Sequence, residues 1–195
     1  HAAGWTFVVM GDSRGSGPDS QVNTNLLREL AQAVVRDRPA FVLFPGDLVY
    51  SGSLSAFQSW TNAMAPVYEA GIPVYPVIGN HDNADPDAFV QVFGGAIPDN
   101  GPAGELNRTY AIIHSNALVL ALDTLVNSGR VHQAWVEATL AANTRPHVFA
   151  FGHLPAFKVG HPDGLGDYPG PRDEFWRSLG NARARAYFCA HDHFF

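Results

Sequence analysis

Five short apolar runs in this 195-residue chain each end in side chains able to hold a metal ion: Gly11-Asp12, Gly46-Asp47 with Tyr50, Gly79-Asn80-His81-Asp82, Gly152-His153 and His191-Asp192-His193. Imidazole suits Zn, Fe and Mn, carboxylate and amide oxygens suit harder ions, and one carboxylate can bridge two of them. Mixed nitrogen and oxygen donors in this number point to a pair of transition metals. Such a pair can activate water, because bound ions lower its pKa towards neutrality. The glycines fit that role: a chain leaving a strand must turn sharply and bring its backbone near the ions, which a Cβ would hinder. Ala190, ahead of the last cluster, departs from this pattern.

The elements that must position these residues are legible around them. Residues 5–10 are rich in β-formers and break at Gly11, a strand feeding a loop. Apolar residues from Val22 to Val34 recur at helical spacing, which predicts a helix over 21–36 with Ser20 as its N-cap and Pro39 just beyond. A strand at 41–44, a helix within 54–64 and an extended stretch at 74–78, made irregular by Pro76, come next. Residues 110–113 and 118–122 read as paired strands, followed by a helix near 131–142 and a strand at 147–151. Residues 156–171, dense in Gly and Pro, read as one long loop before a helix near 173–179 and a strand at 184–189. Strands alternating with helices give an α/β domain with a largely parallel sheet, and its loops gather beyond the carboxyl ends of the strands. All five clusters then meet on one edge.

In order, these blocks resemble the pattern of the calcineurin-like metallophosphoesterase superfamily: G-D, G-D-x-x, G-N-H-D/E, H and G-H-x-H. The resemblance covers nearly the whole chain, since 120–124 and 133–137 are similar to intervening segments of such enzymes. It implies a layered α-β-β-α sandwich forming one catalytic domain over residues 1–195. One block departs from the pattern. Many members carry Asp-x-His at the first cluster, where this chain has Arg14, and a permanently charged guanidinium cannot replace an imidazole ligand. The second cluster, Gly46-Asp47-Leu48-Val49-Tyr50, resembles the G-D-x-x-Y of purple acid phosphatases, in which tyrosine takes the ligand's place.

The resemblance places Asp12, Asp47, Tyr50 and His193 on a first metal and Asp47, Asn80, His153 and His191 on a second, with Asp47 as the bridge. A phenolate is a hard anionic donor, so ferric iron is expected at the first site and Fe, Zn or Mn at the second. The expected reaction is hydrolysis of a small phosphate ester by in-line attack of a metal-activated water, without a protein nucleophile. Phosphomonoesters are favoured over nucleotides and phosphodiesters, which the ligands alone do not separate. His81, beside Asn80, is placed to donate a proton to the leaving oxygen, with Asp82 orienting its ring. Arg14, and His161 on the long loop, are candidates for contacts with phosphate oxygens.

Composition narrows the field. A chain of this size buries roughly 70% of its extended surface on folding. A net charge of -6 with a single lysine, Lys158, argues against an extended nucleic-acid surface. No apolar run approaches the ~20 residues of a membrane span. Cys189 stands alone and reads as a buried small hydrophobe. Opening on His1 rather than Met suits a processed secretory precursor, a trimmed chain or a tag remnant equally well, with a lean towards an exported protein. A terminal strand carrying ligands so near Phe195 leads to the expectation of a further strand or two. Oligomeric state is not encoded.

Taken singly, Asp12 or Asp47 would be a turn residue or cap, Tyr50 a packed aromatic and Asp82 a solvated carboxylate. Asp192 reads as a solvated loop carboxylate and Asp123 as a strand-end cap. His1, His114, His132 and His147 are assigned no chemistry. Two rival functions stand beside hydrolysis: a non-catalytic metal-binding or partner-binding module on the same fold, and a metal-free phosphate-binding scaffold.

Overall fold

The structure, a computed structural model, describes residues 4–193; His1 and the surroundings of Phe195, on which two of the expectations above rest, lie outside them. The order of elements is β1 (Val8–Val9), β2 (Arg14–Gly17), β3 (Ser20–Val22), α1 (Thr24–Asp37), β4 (Val42–Phe44), α2 (Leu54–Ala63), α3 (Ala65–Glu69) and β5 (Val74–Pro76). It continues with α4 (Pro86–Phe93), β6 (Tyr110–His114), β7 (Ala117–Leu122), α5 (Gln133–Ala141), β8 (His147–Gly152), α6 (Pro169–Asn181) and β9 (Ala186–Phe188).

The strands form two main sheets rather than the single one the alternation suggested. The first has the order β1-β4-β5, all parallel; the second has the order β6-β7-β8-β9, parallel except for the antiparallel β6–β7 hairpin. They pack face to face. Phe7 stacks on Phe41 and meets Phe149 and Phe188 of the second sheet edge-on. Every residue of β7 is buried, as a strand covered on both faces requires. One face of the second sheet joins α1, α2 and α4 in the larger core, and its other face packs Leu118, Leu120 and Leu122 against Val136 of α5 and Phe175 and Leu179 of α6. The layering is therefore α-β-β-α, as expected.

Three boundaries differ from the sequence reading. Ser20 does not cap a helix. It opens β3, which pairs antiparallel with β2, and α1 begins at Thr24. The cause is tertiary: the Gln21 carbonyl accepts from Tyr50 N–H at 2.7 Å and the Gln21 side chain from Ser51 N–H at 2.9 Å, which holds the segment extended beside the second ligand loop. Helix α4 was not foreseen, although Asp85 caps it by accepting from Ala88 N–H and Pro86 occupies its first position, as helix starts favour. Helix α6 starts at Pro169, inside the expected loop, because prolines in a first turn forgo only N–H groups that lack a partner there anyway.

Asp123 behaves as the expected cap, accepting from the N–H groups of Leu125 and Val126. It is fully buried and also takes Arg108 Nε and Nη2 at 2.7 Å. Removing one partner of such a pair strands the other charge. Arg108→Ala should therefore cost roughly 3 kcal/mol, about 6–12 °C of melting temperature for a chain of this size, read by thermal denaturation. A change under a degree would show that water replaces the guanidinium.

Candidate metal centre

The ligand loops are stitched to one another through backbone bonds. Asp12 N–H donates to the Gly46 carbonyl and Arg14 N–H to the Asp47 carbonyl, joining the loops after β1 and β4. Gly46 has φ +87°, and a Cβ there would press on Gly79 and the His153 ring. A Cβ on Gly79 would collide with the backbone nitrogen and carboxylate of Asp47. Both glycines are therefore required by close approach, as the clusters implied. Ala190 N–H donates to the His153 carbonyl, tying the loops after β8 and β9 together.

One corner of the site is a convergence of lone pairs. His153 is buried, and its Nδ1 lies 2.9 Å from the Pro45 carbonyl, an acceptor, so Nδ1 carries the proton and Nε2 points a lone pair inward. That Nε2 is 2.8 Å from Asn80 Oδ1 and 3.4 Å from Asp47 Oδ1. His191 Nδ1 lies 3.0 Å from the same Asn80 oxygen, while its Nε2 faces Asp163 Oδ1 at 3.0 Å. Burial lowers the pKa of His153, which favours the neutral ring that a metal requires. Acceptors pointed at one another repel unless a cation lies between them.

The other corner holds carboxylates. Ligand atoms of Asp12, Asp47 and His153 lie within 4.8 Å of one another. Asp12 accepts from His191 N–H, and His193 Nε2 approaches its Oδ1 at 3.7 Å. Burial raises the pKa of Asp12, offset in part by His153 and reinforced by Asp47. Six of the seven expected ligands, Asp12, Asp47, Asn80, His153, His191 and His193, thus surround one space, and the chemistry of the donor set fits metal ions. The seventh, Tyr50, lies beside it. Its ring packs against that of His81 at 5.3 Å between centroids, and its carbonyl accepts from His81 Nδ1 at 2.5 Å.

The residues given other roles divide. His81 is at the site, with its N–H on Asp47 Oδ1 at 3.0 Å. Asp82 does not orient the His81 ring, and it is not solvated. Fully buried, it accepts from the N–H groups of Leu48, Val49 and Gly79, which holds two ligand loops in register. Burial and the nearby Asp47 push its pKa up to about 8 against the pull of those donors. Arg14 reaches Asp47, with Nε 3.5 Å from Oδ2 and no hydrogen-bond partner on that nitrogen.

His161 lies on the exposed long loop, its ring 4.3 Å from that of His191. Asp192 is not a free surface acid: it accepts from the N–H groups of Val159, Gly160 and His161. His132 caps α5, and His114 packs on Trp5 and Phe41, in keeping with no chemistry at either. Cys189 is exposed rather than buried. It lines a cleft of about 820 Å³ in which Leu26, Leu30 and Phe157 meet Asp12, Arg14 and His193. Asp163 was missed, since nothing but its loop marks it in the sequence.

The family of calcineurin-like phosphoesterases matches residues 6–195. The chain belongs to this family. A serine/threonine-protein phosphatase from Danio rerio is 24% identical over 200 residues, covering 94% of this chain and 64% of that protein. A probable inactive purple acid phosphatase from Arabidopsis thaliana is 37% identical over 60 residues, 30% of this chain and 15% of that one. Among solved structures, a dimetal phosphatase from Danio rerio superposes with a TM-score of 0.66 at 14% identity, over 97% of this chain and 82% of its own. The anchor protein of the Plasmodium inner membrane complex gives 0.62 at 19% identity, over 95% and 65%. This phosphoesterase-family chain thus spans under two thirds of the length of both curated relatives, and at these identities the solved structures establish its fold.

Proposed function

We propose that this chain hydrolyses phosphate esters, phosphomonoesters in preference to diesters, with the help of two metal ions. The observation that carries the reading is the convergence of Asn80 Oδ1, His153 Nε2 and His191 Nδ1, three lone-pair donors around one point beside Asp47. Asp12, Asp47, Tyr50 and His193 would hold the first ion and Asp47, Asn80, His153 and His191 the second. When bound, such ions supply an acidified water and positive charge for the phosphoryl oxygens. Ferric iron suits the first position if Tyr50 ligates as phenolate, and Fe, Zn or Mn the second.

The chain's own groups then divide the work. His81, with Nδ1–H on the Tyr50 carbonyl, presents Nε2, from which its imidazolium form would protonate the leaving oxygen. Arg14 carries a fixed positive charge at the carboxylate corner and contacts a non-bridging phosphate oxygen, with His161 meeting the substrate from the loop above. A small ester fits the charge pattern, because a net charge of -6 offers no track for a polyanion. Among the described residues no helix is long and apolar enough to cross a membrane.

The test is metal content measured beside hydrolysis of a simple monoester and a simple diester. Two equivalents of metal with faster monoester turnover are expected. A metal-bound protein without turnover would leave a binding module, faster diester turnover a phosphodiesterase, and absence of metal a phosphate-binding scaffold. Visible tyrosinate-to-iron absorption is the signature of Tyr50 ligation, and a colourless, iron-free, active enzyme would refute it.

A further inference from the structure

The two inward-pointing imidazoles are oriented by different means. His153 is held by the carbonyl of Pro45, deep in the fold. His191 uses the opposite nitrogen, and its outer Nε2 is held at 3.0 Å by Asp163 Oδ1, on the long loop after β8, with that carboxylate 52% exposed. A neutral imidazole has one N–H, and a carboxylate accepts only, so this contact places the proton on Nε2 and leaves the Nδ1 lone pair facing Asn80. We infer that Asp163 is a positioning residue for the second metal site, fixing the tautomer and ring angle of His191 from the long loop after β8. This rests on the two-metal reading above.

The loop is built to deliver that carboxylate. Asp192, next to His191, gathers the N–H groups of Val159, Gly160 and His161. Lys158 Nζ reaches the Pro162 carbonyl and the Asp167 carboxylate, and Asp167 accepts from Gly164 N–H. The His161 ring covers His191 at 4.3 Å. Consecutive residues of the last ligand cluster therefore hold the same loop, Asp192 through its backbone and His191 through Asp163. Carboxylates bound to the outer nitrogen of a ligating histidine typically change metal affinity 10–100-fold.

The experiment titrates metal-stripped protein with Zn2+ against a competing chelator, for wild type, Asp163→Asn, Asp163→Glu and Asp167→Asn. Wild type should take up two equivalents. Asp163→Asn should weaken one of them about 10–100-fold, spare the other and regain turnover in excess metal, and Asp163→Glu should recover part of the loss. Asp167→Asn loosens the loop elsewhere and should bind as wild type does. Thermal melting of the Asn variant should be unchanged, since the carboxylate is half exposed. Wild-type affinities in Asp163→Asn, an equal loss in Asp167→Asn, or a third equivalent lost with Asp163 would each overturn the inference. Failure of wild type to bind two equivalents would instead overturn the two-metal reading.

Discussion

Asp47→Asn is expected to cost on the order of 10³-fold or more in turnover and to release bound metal, while the fold stays intact. In the two-metal proposal Asp47 would be the shared ligand, so the change would weaken both positions at once, whereas loss of any other ligand would weaken one. Metal ions supply several kcal/mol of charge stabilisation in a transition state, and each ~1.4 kcal/mol is tenfold in rate. Asparagine keeps the shape and can still accept from His81 N–H, as Asp47 Oδ1 does at 3.0 Å. It also removes a negative charge that pushes up the pKa values of Asp12 and Asp82. Metal-stripped Asp47→Asn should therefore melt no lower than metal-stripped wild type. Elemental analysis, ester hydrolysis and a melting curve are the three measurements. A variant that keeps both ions and its rate would remove Asp47 from the bridge.

His81→Ala should do the reverse, keeping both metals and losing about 10²–10⁴ in turnover. The substitution keeps the residue's backbone contacts and removes the ring with its bond to the Tyr50 carbonyl. Its N–H holds Asp47 and its carbonyl accepts from Gly52 N–H at 3.0 Å, and alanine keeps both. Only the imidazole goes. A proton donor matters most when the leaving oxygen is basic, so the loss should be larger for an alkyl phosphate than for a nitrophenyl phosphate. Equal losses on the two substrates would mean that His81 acts on binding or geometry, and released metal would make it structural.

The parts of the site legible in the sequence were those carried by residue type at a strand end. Asp12, Asp47, Asn80, His153, His191 and His193 stand out because few structural roles call for glycine followed by a metal-type side chain four times over, with a fifth such cluster after Ala190. What escaped depends on where hydrogen bonds go in three dimensions. Asp82 follows a histidine and so suggested an orienting partner, yet its lone pairs are taken by three backbone N–H groups, two from the loop after β4 and one from its own loop. Asp163 sits in a Gly/Pro-rich stretch with no periodicity, and only closure of the loop onto His191 gives it a role.

The fold was legible to the same degree. Core strands such as β7 and β8 declared themselves by unbroken apolar runs. The division into two sheets did not, because periodicity reports that a strand is buried but not which neighbour it pairs with. Ser20 shows the same limit at short range: a good cap by type, it was drawn into a hairpin by contacts made 30 residues later.

Four of the expected ligands, Asp12, Asp47, His191 and His193, hold backbone φ between 48° and 72°, the left-handed region where a side chain is penalised. Each is a place where glycine would suit the chain better than the residue present, at a relief of about 1 kcal/mol. A screen of random variants for heat resistance alone would therefore collect glycines at these positions and erode activity as it improved the scaffold. Directed evolution of this protein has to score turnover alongside melting temperature, or it will discard the reaction while hardening the shell around it.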